Sequence, residues 1–109
     1  MAYDEGLAER IRERLEERPD ASERRMFGGI AFLIGGHMCV GVIGDELMAR
    51  VGPDAYEDAL RQPDARPMDF TGRPMRGFVT VSSRGIAEDE DLEAWIERGL
   101  RFAGSLPPK

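Results

Sequence analysis

His37 and Cys39 are the sole histidine and the sole cysteine of the 109-residue chain, and their i, i+2 spacing invites a chemical reading. On a strand both side chains point to one face, roughly 6–7 Å apart by strand rise. A zinc site needs further ligands at fixed distances, and no other His or Cys is available within one chain. A dimer could bring a second His37/Cys39 pair across its axis. As nucleophile and base the pair lacks an orienting third group and oxyanion donors. Cys39 therefore reads as a small apolar residue and His37 as a hairpin-end residue near water. The carboxylates Asp45, Glu46 and Asp69 fall at turns or strand ends, and their spacing suggests no acid/base pair. The sequence predicts no catalytic residue, no metal site beyond the weak pair His37 and Cys39, no cofactor, and hence no enzyme.

Gly28-Gly29 and Gly35-Gly36 lack the lysine a phosphate loop places after its glycines, since Lys109 is the only lysine, and GxGxxG does not occur. These glycines are predicted to shape turns. The remaining candidates are arginines. Arg24, Arg25, Arg50, Arg66, Arg73, Arg76 and Arg84 lie in the centre of the chain. Several of them, with Arg25, Arg50, Arg66, Arg73 and Arg76 foremost, could converge near the 63–76 connection as an anion-binding or partner-docking patch. Overall charge is −6, distributed as −4 over residues 1–23, +1 over 24–84 and −3 over 85–109. Such an acidic chain is a poor binder of nucleic acid by bulk electrostatics, so DNA or RNA contact would depend on a local arginine stripe.

The elements that position these residues follow from periodicity. Residues 4–18 carry Leu7, Ile11 and Leu15 at i, i+4, i+8, with Ala8 beside them, and Asp4 can cap the start; this predicts an amphipathic helix. Residues 26–34 read as a strand with a bulge or close backbone approach at Gly28-Gly29. Gly35-Gly36 is a hairpin signal, 37–43 a second strand, Gly44-Asp45 a turn and 46–51 a third strand. Pro53 opens a short helix over 54–61, and Pro63 to Pro67 forces an extended connection. A second hairpin is predicted from 68–70 and 75–81 around residues 71–74, then a turn at 83–85. A helix over 88–104 has acids in its first turn and Leu92, Trp95, Ile96, Leu100 and Ala103 as its apolar stripe.

Both faces of the predicted three-stranded meander are apolar, whereas a sheet with one wet face alternates cleanly. Helices supply one covering; a second subunit, or else loops and chain ends, supplies the other, and a homodimer is expected. Met26, Met38, Met48, Met68 and Met75 suit core filling. No run of about 18 apolar residues occurs, and no signal-peptide pattern, so a soluble cytoplasmic protein without membrane contact is expected. At this length the sequence predicts one domain, 1–109, of the α+β class.

Met26-Phe27-Gly28-Gly29, then Phe32, Gly36-x-Met38, Asp45-x-Leu47 and Arg50-Val51 form a signature that resembles the N-terminal domain of the TfoX/Sxy family of competence regulators. The resemblance continues through Tyr56, Pro67-Met68, Gly77-Phe78 and the Trp95 helix. It implies a secretion-chaperone-like α+β domain ordered helix, three strands, helix, two strands, helix, of a type that often dimerises through the sheet. It also implies a bacterial, non-enzymatic regulatory or adaptor role in transcription, exercised through protein partners. The alternative is a regulator that binds nucleic acid directly through the central arginines.

Overall fold

Helix α1 (Glu5–Leu15) begins where Asp4 accepts a hydrogen bond from the Leu7 N–H at 3.1 Å, satisfying one of the orphan donors of the first turn. Its stripe of Leu7, Ala8, Ile11 and Leu15 is buried, as the i, i+4 spacing requires. The computed structural model describes residues 3–26, 28–69 and 72–109. After α1 come strands β1 (Ala21–Met26), β2 (Gly29–Ile34), β3 (His37–Ile43) and β4 (Glu46–Arg50), and helix α2 (Tyr56–Leu60). Strands β5 (Ala65–Pro67) and β6 (Phe78–Val81), a 3-10 turn (Ser83–Ile86) and helix α3 (Asp89–Gly104) complete the order.

The strands form one antiparallel sheet in the order β1-β2-β3-β4-β6-β5. The α+β class agrees with the sequence, but the meander has four strands rather than the three expected, because residues 21–26 form an edge strand of their own. Ala-Ser-Glu-Arg-Arg-Met carries no apolar alternation, being mostly exposed along its length. Gly28 accordingly sits in the β1–β2 turn, and Gly29 opens β2 opposite Met26. Gly28 adopts φ +75°, a conformation in which glycine is favoured. At Gly29 a Cβ would lie 2.1 Å from the Val42 carbonyl oxygen, so the expected close approach is real.

The bulge is elsewhere. Register slips between Phe32, opposite Val40, and Leu33, opposite Met38, leaving Cys39 as the extra residue of β3. Two further boundaries move. The 63–67 segment, predicted as a mere connection, supplies β5, and the 83–85 turn is helical. Of the second hairpin as predicted, Phe70 and Thr71 lie outside the described residues.

All helices serve one face of the sheet. Ile30, Phe32, Ile34, Val40, Val42, Leu47, Ala49, Val79 and Val81 meet the stripes of α1 and α3 in a single core. Burying side chains of this size contributes about 1.5–3 kcal/mol each. Arg10 and Arg14 of α1 bind Asp89 at 3.2 and 3.9 Å, and Arg14 binds Glu93 at 2.9 Å, which ties α1 to the start of α3. These exposed pairs orient the helices more than they stabilise them.

The other face carries Ala31, Leu33, Gly41, Met48 and Thr80, all buried within one chain. The Met48 methyl occupies the space a Gly41 Cβ would need, 2.5 Å away. Met68, just beyond β5, is buried outside the main core. Of the two coverings anticipated for this second face, the chain itself thus supplies much of one.

Candidate functional site

His37 and Cys39 are placed by β3, and the bulge decides their surroundings. His37 pairs with Ile34 beside the Gly35-Gly36 turn, where both glycines have positive φ. Its Nε2 donates to the Pro107 carbonyl at 2.6 Å, and the Lys109 N–H donates to the Gly35 carbonyl at 2.9 Å, so the imidazole anchors the C-terminal segment to the hairpin. Cys39 is fully buried in the core beneath α3, where a Cβ on Gly99 would meet its sulfur at 2.9 Å. Burial pushes its thiol up to about 12; a nearby Arg18 opposes that rise and Glu97 adds to it. A thiol that is neutral and enclosed is a poor nucleophile and a poor metal ligand. In the native protein Cys39 is expected to resist a disulfide reagent at pH 8 and to react at once in denaturant. Rapid native labelling would contradict this burial.

Among the described residues, no group of three His, Cys, Asp or Glu side chains is placed to hold a metal ion. Asp45 and Asp69 are exposed at their turn and strand-end positions. Glu46 accepts two hydrogen bonds from Arg66, at 3.0 and 2.6 Å across β4 and β5, and this contact raises the arginine's pKa.

The nominated arginines do not form one patch. Arg25 lies on edge strand β1 and Arg66 on edge strand β5. Five strand spacings, about 24 Å, separate those edges. Arg25 shares a depression with Tyr3, Arg12, Glu23, Arg24 and Ile30. Arg73 is exposed in the loop before β6. Arg50 and Arg76 do come together at one corner, where the Val51 and Gly52 N–H groups both donate to the Gly77 carbonyl, at 2.8 and 3.1 Å. The Arg50 guanidinium is 5.5 Å from the Phe78 ring centre and 5.1 Å from that of Phe102; Arg76 lies 5.7 Å from Tyr56. Neither makes an ion pair among the described residues, so this corner keeps two positive charges held by aromatic faces. The sequence offered no sign of it, since the stacking partners are twenty or more residues away and come from three elements.

A pocket of about 270 Å³ on the outer face is lined by Ile43, Glu46, Met48, Arg66, Met68, Asp69 and Thr80. The Thr80 hydroxyl is shut off from solvent and has no hydrogen-bond partner among the described residues. Thr80→Val keeps the shape and removes that orphaned group. It is expected to be neutral or stabilising by up to about 1 kcal/mol in urea unfolding, whereas a clear loss would reveal a hydrogen bond made there.

The signature residues have structural roles. Met26 ends β1, Gly28 and Gly36 turn the chain at positive φ, and Gly29 admits the Val42 carbonyl. Leu47 and Val51 are core, Met38 is half-buried, Asp45 sits in the β3–β4 turn and Arg50 occupies the aromatic corner. Phe27 lies outside the described residues.

Fold and site together define a class: an α+β domain with helices on one face of an antiparallel sheet, its thiol and imidazole committed to structure, and arginines on its edges and corner. The chain belongs to the TfoX N-terminal domain family, whose profile matches residues 13–103. Comparison with curated proteins finds no match. Among the described residues no helix is long and apolar enough to cross a membrane.

Proposed function

We propose that this TfoX N-terminal domain is a non-enzymatic regulatory or adaptor module that works through protein–protein contacts as a homodimer. The observation that carries this reading is the open edge of β1, a six-residue strand at the border of the sheet with its middle exposed. An uncovered strand edge is a template for pairing with another chain. The commitment of Cys39 to the core and of His37 to the Pro107 carbonyl supports a role without covalent chemistry.

Direct nucleic-acid binding is favoured only by the corner of Arg50 and Arg76, and two fixed cations give a small footprint for phosphate neutralisation. Sedimentation velocity at tens of micromolar tests the reading. The expected mass is twice the 12.2 kDa of one chain. A strict monomer would count heavily against it. A low-salt mobility shift abolished by Arg50→Ala or Arg76→Ala would move the assignment to the nucleic-acid alternative.

A further inference from the structure

The hydrogen-bond phase of β1 fixes which of its backbone groups are open. The Gly35 N–H donates to the Asp20 carbonyl at 2.9 Å, immediately beyond the Ala21–Ile34 pair. That bond makes Ala21–Ile34 a non-hydrogen-bonded pair, and the antiparallel ladder then alternates. Ser22, Arg24 and Met26 spend their backbone groups on β2, while Ala21, Glu23 and Arg25 turn theirs to the open side. The Ala21 N–H is taken by the Arg18 carbonyl at 3.2 Å. Among the described residues, what remains open is the N–H and C=O of Glu23 and of Arg25, two residues apart.

The same two residues carry opposite charges on one face. Glu23 pairs with Phe32 and Arg25 with Ile30, both core residues, so Glu23 and Arg25 lie on the helix side. We propose that a second copy of this chain adds antiparallel along β1, with Glu23 opposite Arg25 of the other copy and Arg25 opposite its Glu23. This inference rests on the homodimer reading and gives it a surface. Each Glu23–Arg25 pair would exchange both backbone hydrogen bonds and set opposite charges face to face, the arrangement that stabilises cross-strand neighbours. The axis passes between the two copies of Arg24, perpendicular to the sheet, and puts both helix layers on one side of a continuous sheet.

Other registers are worse. A shift that keeps the open groups in phase places Glu23 against Glu23 or Arg25 against Arg25, and like charges directly opposite are destabilising. A one-residue slip throws the helix layers onto opposite faces and aims at backbone groups already bonded. The chosen register does oppose Arg24 to Arg24, on the outer face, where both are exposed and can splay into water.

A groove of about 140 Å³ runs beside the edge on the helix side, lined by Arg12, Leu15, Glu16, Ala21, Glu23 and Phe32 among others. In it Arg12 holds Glu23 through Nε at 2.5 Å and Nη2 at 2.9 Å, and this contact keeps the carboxyl below the usual range. Glu23 is therefore oriented and charged before the second copy arrives, and a carboxylate has lone pairs for two guanidinium groups.

Sedimentation equilibrium on the full chain tests the interface. Arg25→Glu and Glu23→Arg each convert both cross-strand pairs to like charges and are expected to weaken the dimer about tenfold or more. Mixing the two variants restores opposite charges in the heterodimer, so the mixture should dimerise where neither component does. Arg25→Pro removes an N–H that faces the open edge, a position where proline is tolerated, and should abolish dimerisation with the thermal melt little changed. Arg24→Thr removes the one like-charge contact and should tighten the dimer, a gain that misfolding cannot mimic. A wild-type dimer indifferent to Arg25→Glu and Arg25→Pro, or a mixture that stays monomeric, overturns this interface and leaves the homodimer standing. A wild-type monomer overturns both.

Discussion

Gly99→Val is expected to destabilise the domain by about 3 kcal/mol, the upper range for forcing extra carbons into a packed site. Gly99 lies in the middle of α3, where glycine is about 1 kcal/mol worse than alanine on propensity alone. Its value is in contact: a Cβ there would stand 2.7 Å from the Cys39 carbonyl oxygen, 2.9 Å from its sulfur and 3.1 Å from Val40. The β3 bulge pushes Cys39 and Val40 toward the helix together, and only a residue without a side chain lets α3 settle over them. Gly99→Ala should therefore also destabilise, against its helix propensity. Gly104→Ala is the control, since no described residue comes within 4 Å of a Cβ there, and a gain of a few tenths to about 1 kcal/mol is expected. Urea unfolding measures all three. A neutral or stabilising Gly99→Ala would contradict the close seating of α3 on the bulge.

Phe32→Ala is expected to lose about 3–5 kcal/mol, through lost transfer energy and the cavity left behind. Phe32 is the largest of the fully buried side chains and sits at the centre of β2, facing the helices. Domains of this kind have about 5–15 kcal/mol in total, so the variant should be unfolded or nearly so at moderate urea. Phe32→Leu keeps most of the volume and should cost under about 2 kcal/mol. Phe32 also floors the groove beside β1, and the Arg12 guanidinium stands 5.9 Å from its ring centre. A small loss for Phe32→Ala, in the range of an exposed residue, would mean that the sheet and α1 do not enclose it.

Patterns with a strong period were legible in the sequence. The stripes of α1 and α3, the Gly35-Gly36 hairpin and the β3–β4 turn follow from local spacing, and the MFGG signature correctly placed the chain in its family. β1 escaped because an edge strand need bury little: its pairing is made by backbone groups, which every sequence possesses, and its charged side chains read as loop. β5 escaped because it is a three-residue strand that itself ends in proline and whose partnership with β6 is decided eleven residues later. The bulge moved from the glycines to Cys39 for a related reason, since register is a property of two strands and cannot be seen in one.

The candidate sites divide in the same way. Spacing sufficed to expect that Asp4 would cap α1. Only the tertiary structure decided that Arg25 and Arg66 lie on opposite edges of the sheet and that Arg50 is clasped by Phe78 and Phe102. It also decided that Glu23 and Arg25 share an open backbone edge. Periodicity is written in neighbours along the chain and is set by local sterics. Convergence depends on strand order and hydrogen-bond phase, which arise when residues far apart in sequence are brought into one sheet.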